Sequence, residues 1–235
     1  MTGERPSLAY EPWFEDVLLR AHLARGSRVL QLTAQSPGQT RAILARIGAI
    51  GTLTVVEPDR YRASVVDSLE HPGLSVLAYE PEGGEIFGIH DTVIACPRVA
   101  VPSWPMNRWG ELAVHNLRPG GRFVFDLPGE RHCDLIAECW REIRAAPERL
   151  ALWNGPSESA LAKLLRADGL REVTPTVATH LVHFDGAPEV ARWVGELLEA
   201  DDDTVASLQL ALTRRLATHA ASDLLFRRSR IHGMH

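Results

Sequence analysis

The chain carries a single lysine, Lys163, among 25 basic residues. Its positive charge is therefore almost entirely arginine, which reads as the codon bias of a GC-rich gene more than as phosphate recognition. Positive charge is not in excess either: 30 acidic residues leave a formal net charge of -5. That balance gives no general attraction to nucleic acid or to an anionic membrane, so neither is expected as a partner. No apolar run approaches the roughly 20 residues needed to span a bilayer. The N-terminal residues lack the charged-then-apolar pattern of a signal peptide, and a cytoplasmic protein is expected. Cysteine is scarce: Cys96, Cys133 and Cys139 are odd in number and have no metal-site spacing. Three reduced, mostly buried thiols are expected, and no metal. Repeats and low-complexity linkers are missing, and 235 residues suit one domain with a full core.

What is present is alternation. Tyr10 to Arg25 places Trp13, Val17, Leu18 and Ala21 on one helical face, and Gly26 stops that helix. Short apolar runs follow at Arg28 to Leu32, Thr52 to Val56, Leu74 to Ala78, Asp91 to Ala95 and Arg122 to Asp126. Between them lie helical stretches at about Thr40 to Ile47, Asp59 to Leu69 and Trp104 to Asn116. Apolar strands alternating with helices predict βαβ units, hence a parallel sheet with right-handed crossovers and helices on both faces. Beyond Pro128 helices are predicted at Arg131 to Arg144, Ser157 to Ala167, Gly186 to Leu198 and Asp203 to His219. Strands are predicted at Arg171 to His183 and Leu224 to Ile231, the last with its arginines on exposed positions.

The order of elements and several local phrases resemble the class I S-adenosylmethionine-dependent methyltransferases of the small-molecule type. Ala24 to Leu30 is similar to the lead-in to that family's first strand, and Leu53 to Asp59 to its second strand with a terminal acid. Leu117-Arg118-Pro119-Gly120-Gly121-Arg122-Phe123-Val124-Phe125 resembles its turn and fifth strand very closely, and Ser157 to Leu170 its lid helix leading into the sixth strand. The resemblance covers nearly the whole chain. It implies a Rossmann-like, doubly wound, seven-stranded, mostly parallel sheet whose last strand is antiparallel. One domain is expected over 1–235, with an N-terminal helix (1–26), a cofactor-binding half (27–128) and a lid and substrate half (129–235).

The stretch Arg28 to Thr40 reads as strand, loop and helix start, and in such folds that loop lies under the ligand, beyond the carboxyl ends of the strands. Where the family carries an acid and then three alternating glycines, this chain has Gln31 and then Thr33, Gln35 and Pro37; only Gly38 follows. Glycine there lets the backbone approach a ligand and take positive φ, whereas proline removes an N–H and fixes φ. Two side chains directed at the methionine moiety would narrow the site, although Thr33 and Gln35 have groups able to hydrogen-bond a ligand. Glu57, at the end of the second strand, is placed to accept two hydrogen bonds from a ribose diol, or else to start the following helix. After the third strand, where the family presents an aspartate to adenine, the chain reads Tyr79-Glu80. The cofactor residues implied are Thr33, Ala34, Gln35, Glu57, Pro58, Tyr79, Glu80 and Cys96, for S-adenosylmethionine.

In-line methyl transfer asks for alignment in a dry pocket and at most one general base. Candidates near that pocket are Tyr10, Trp13, Cys96, Arg98, Trp104, His115 and His132; none is singled out as catalytic. His115, the most base-like, also lies four residues after Glu111 at ion-pair spacing. His180 and His183, three apart on a strand, point to opposite faces and do not chelate. Trp140, Trp153 and Trp193 suit either a substrate cover or plain core. Two functions remain: a methyltransferase acting on a small molecule, or a methyltransferase-fold protein that has lost cofactor binding and serves as a binding or scaffolding partner, with a homodimer compatible with either. An ordinary Rossmann dehydrogenase needs the same missing glycines and does not explain the Arg118 to Phe125 phrase.

Overall fold

The computed structural model describes residues 11–34, 36–82, 84–97, 106–143, 155–198, 200–216 and 223–235. Its elements run α1 (Glu11–Ala21), β1 (Arg28–Leu32), α2 (Pro37–Ile47), β2 (Thr52–Glu57), α3 (Arg60–Asp67), β3 (Leu74–Ala78), β4 (His90–Ala95), α4 (Met106–Asn116) and β5 (Leu117–Pro128). They continue α5 (Asp134–Glu142), α6 (Glu158–Ala167), β6 (Arg171–His183), α7 (Ala187–Leu198), α8 (Asp202–Leu216) and β7 (Asp223–Met234). The seven strands form one sheet in the order β3-β2-β1-β4-β5-β7-β6. β1 to β5 pair in parallel, while β7 runs antiparallel to both β5 and β6. This is the expected doubly wound sheet with an antiparallel last strand.

Two apolar layers cover the sheet. One joins α1, α2, α5, α7 and α8 through Phe14, Val17, Ile43, Trp140, Val190 and Leu208, all buried. The other seats α4 and α6 on Phe123 and Phe125 through Trp109, Leu112, Leu161 and Leu165. Trp193 meets Phe226 edge-on at 5.7 Å, so Trp140 and Trp193 are core; Trp153 lies outside the described residues.

Several boundaries differ from expectation for local reasons. α2 starts at Pro37 and not at Thr40, because Ser36 caps it by accepting the Gln39 N–H and proline at the first helical position loses no hydrogen bond. Asp59 is likewise the cap of α3 and not its first residue. The turn Arg118 to Gly121 belongs to β5 as its irregular start, with a register shift opposite His90 to Thr92. Gly120, at φ 72°, donates its N–H to the His235 carbonyl at 2.9 Å, which clips the turn to the end of β7.

The larger correction concerns β7. Its arginines are not all on exposed positions: Arg227 is exposed, but Arg228 is 0% and Arg230 2% accessible. Side chains alternate along a strand, so both lie in phase with Leu224 and Phe226 on the buried face. Asp126 on β5 is the cross-strand partner of Arg230 and the diagonal neighbour of Arg228.

Candidate functional site

Parallel pairing brings the carboxyl ends of β1, β2, β3 and β4 to one edge of the sheet, where Thr33, Tyr79 and Cys96 follow their strands and Glu57 ends β2. Thr33 extends the ladder by donating its N–H to the Val56 carbonyl at 2.8 Å. Its φ is 64°, the left-handed region that glycine takes freely and a β-branched residue avoids. Its Oγ1 is buried with no hydrogen-bond partner among the described residues. The backbone thus keeps a shape suited to glycine while carrying a side chain. Left-handed geometry costs a non-glycine residue about 1–2 kcal/mol, more than the extra chain entropy of glycine. Thr33→Gly is therefore expected to leave stability unchanged or to raise it by up to about 1 kcal/mol in urea titration. A loss beyond that would show that the threonine methyl packs productively.

The rest of the loop is laced to its surroundings. The Ala34 N–H donates to Glu57 Oε2 at 2.9 Å. Thr40 Oγ1 donates to Gln31 Oε1 at 3.0 Å, which binds the first turn of α2 to β1. Gln39, 3% exposed, donates from Nε2 to the Cys96 carbonyl at 3.3 Å and so reaches from α2 to the end of β4, while its Oε1 finds no partner among the described residues.

Glu57 is only 1% exposed. Its Oε1 accepts the Asp59 N–H at 3.0 Å and Arg62 Nε at 3.2 Å, so both carboxylate oxygens are engaged by the chain itself. Burial pushes its pKa up, opposed by the Arg62 guanidinium and the backbone donors. Pro58 continues from it toward α3. Tyr79 is 43% exposed, its hydroxyl donating to Glu85 Oε1 at 3.4 Å; desolvation and the Glu85 and Glu82 carboxylates push that hydroxyl up. Glu80 lies at the rim, 3.8 Å from Arg108 Nη1. Gln35 lies outside the described residues, as do Tyr10, Arg98 and Trp104; of Trp13 only the backbone in α1 is described.

The base candidates do not converge on this edge as reactive groups. His132 is fully buried, its Nδ1 2.7 Å from the Arg227 carbonyl and its ring edge-on to Phe226. His115 is exposed near Gly84. Burial pushes the Cys96 thiol up to about 12, so it is protonated at neutral pH and inert as a nucleophile. All three cysteines are free and buried. Among the described residues no cluster of three or more acids, histidines or cysteines is arranged to hold a metal, and no helix is long and apolar enough to cross a membrane.

Beside Cys96 stands a group that sequence reasoning missed. Asp126 is fully buried between Arg228 and Arg230; Arg228 Nε pairs with its Oδ1, and Arg230 Nε donates to its Oδ2 at 2.6 Å. Arg228 Nη2 also donates to the Pro97 carbonyl at 2.7 Å, holding the chain that leaves β4. Arg230 Nη1 reaches Asp16 on α1, and its Nη2 lies 3.4 Å from His180 Nε2. The two guanidiniums hold the Asp126 carboxyl below the usual carboxylate range despite its burial. The signal available in the sequence was the phase of Arg228 and Arg230 with Leu224 and Phe226.

No family model matches the chain, and no curated protein matches it in sequence. Solved structures do. The YcgJ protein from Bacillus subtilis superposes with a TM-score of 0.60 at 12% identity, covering 94% of this chain and 97% of that one. A putative sarcosine dimethylglycine methyltransferase from Galdieria sulphuraria gives 0.56 at 12% identity, with 94% and 84% covered. Phosphoethanolamine N-methyltransferase 2 from Haemonchus contortus, in complex with S-adenosyl-L-methionine, gives 0.57 at 14% identity, with 99% of this chain and 54% of that one covered. The chain has the methyltransferase fold. At these identities the likeness is one of architecture, and chemistry has to be argued from the site.

Proposed function

We propose that this methyltransferase-fold protein does not hold S-adenosylmethionine in the manner the fold implies and acts as a non-catalytic binding partner. One observation carries the reading. Glu57, the acid expected to grip a ribose diol, is buried and spends both oxygens on Ala34, Asp59 and Arg62. It ties the first loop to α3, and three donors of the chain itself already occupy most of its acceptor capacity. The neighbouring positions agree: Thr33 fills with a side chain the place where a close backbone approach needs glycine, and Gln39 spans from α2 to the Cys96 carbonyl. The residues present do not fit the cofactor. Net charge of -5 supports a partner other than nucleic acid or an anionic membrane.

Isothermal titration of the full chain with S-adenosylhomocysteine and with S-adenosylmethionine tests the proposal. The expected result is no heat and no thermal shift at millimolar ligand. Measurable binding, or an adenosyl compound copurifying with the protein in mass spectrometry, overturns it. Such a result would favour the second reading, a methyltransferase acting on a small molecule, which draws support from the placement of Glu57 at the carboxyl end of β2 and from the methyltransferases among the structural neighbours.

A further inference from the structure

β3 is the last strand of the sheet, bonded among the described residues to β2 alone, and residues 85–87 of the chain beyond it lie close to it. Between them lies an open groove of about 570 Å³ walled by Val76, Leu77, Tyr79, Glu85, Ile86 and Phe87. That segment is held in place from below. Asn116, fully buried at the end of α4, accepts the Phe87 N–H at 2.6 Å and donates to the Glu85 carbonyl at 2.8 Å. Two backbone bonds to one buried amide fix the residues that carry the Glu85 carboxylate and the Phe87 ring.

The wall chemistry is selective. Tyr79 and Phe87 stand edge to face, with ring centroids 6.0 Å apart and planes at 71°. Tyr79 is 43% and Ile86 68% exposed, so an aromatic and an aliphatic surface are both open to a ligand. Glu85 puts a carboxylate beside the Tyr79 hydroxyl, and Glu80 and Glu82 stand nearby in sequence. Among the described residues none that lines the groove is basic. Aromatic faces attract cations through the ring quadrupole, and an adjacent carboxylate adds to the same field. We propose that this groove binds an organic cation, an alkylated ammonium group whose methyls pack on Tyr79, Ile86 and Phe87 while its charge faces Glu85. The site goes beyond the proposed function and does not depend on it.

The test uses the full chain, choline as the cationic probe and 3,3-dimethylbutan-1-ol as its uncharged isostere, each followed by calorimetry and by saturation-transfer NMR on the ligand methyls. Choline is expected to bind at least about tenfold more tightly than the alcohol, and to bind equally well with S-adenosylhomocysteine added. Tyr79→Ala and, separately, Glu85→Gln are expected to weaken choline by about threefold to thirtyfold. Should Tyr79→Ala lower the melting temperature, the isosteric Glu85→Gln decides. Absence of choline binding, equal binding of the two probes, or unchanged affinity in the folded Glu85→Gln variant overturns the proposal. Because the adenosyl ligands are titrated separately, a failure here and a failure of the cofactor reading give different results.

Discussion

Asp126→Ala is expected to lower the unfolding free energy by about 3–5 kcal/mol, the cost typical of removing one partner from a buried ion pair. The substitution removes the buried carboxylate that pairs with two inaccessible guanidiniums. Among the described residues Asp16, whose side chain is 53% exposed, remains to face Arg230. Asp126→Asn keeps the shape but removes the charge, and is expected to fall between the variant and the wild type. Urea unfolding monitored by tryptophan fluorescence gives the values, and a loss below about 1 kcal/mol for Asp126→Ala would show that solvent already satisfies the arginines. The effect reaches the candidate site because Arg228 also holds the Pro97 carbonyl. The chain leaving β4 and helix α1, through Asp16, are both fastened to this one carboxylate.

The same network sets a pH dependence. His180, beside Arg230, has its pKa lowered to about 4, above all by burial; Asp126 acts next and in the opposite direction, and Arg230 and Arg228 lower it further. The unfolded chain therefore binds more protons than the folded one between pH 6.5 and about 4. Stability contributed by neutral His180 is complete above the unfolded pKa and is lost as pH falls through that window. Asp126, lowered from 3.8, has the same sign in a more acidic range: its contribution is present above 3.8 and lost as pH falls through the folded value. His180→Gln is expected to flatten the stability profile in the upper window and leave the acid limb, which a series of urea titrations in pH resolves.

Punctuation in the sequence located most of the fold. β1, β3 and β6 fall on their predicted residues because glycine or proline stands close to one end of each run. α2 begins three residues before the start that the turn residues Ser36, Pro37 and Gly38 suggest, because proline is favoured at a helix's first position. Arg228 and Arg230 depart from the exposure that their residue type suggests, because the buried carboxylate that pairs with both, Asp126, is distant in sequence and meets them only through the pairing of β5 with β7. The address of Glu57 was legible from the end of its strand. The direction of its carboxylate was not, because that depends on the Ala34 N–H, 23 residues away in sequence, and on how α3 places Arg62.

Glu57 supplies the second large effect, and it separates the two functions. Glu57→Ala removes the acceptor for Ala34, Asp59 and Arg62 at once and leaves a buried N–H unpaired, at a cost of about 3 kcal/mol. Glu57→Gln keeps one acceptor oxygen in place. Because burial already pushes the carboxyl pKa up, the charge contributes less than the geometry, and about 1 kcal/mol is expected for this variant. A carboxylate reserved for a ribose behaves in the opposite way: unbound, it faces solvent, so its replacement costs ligand affinity and little stability. Denaturant unfolding and adenosyl-ligand titration of the same two variants therefore form a paired measurement. Large destabilisation by alanine, a small one by glutamine, and no ligand heat in either or in the wild type identify Glu57 as an internal clasp. Unchanged stability together with adenosyl-ligand binding that disappears in Glu57→Gln would return the residue to a cofactor and the protein to catalysis.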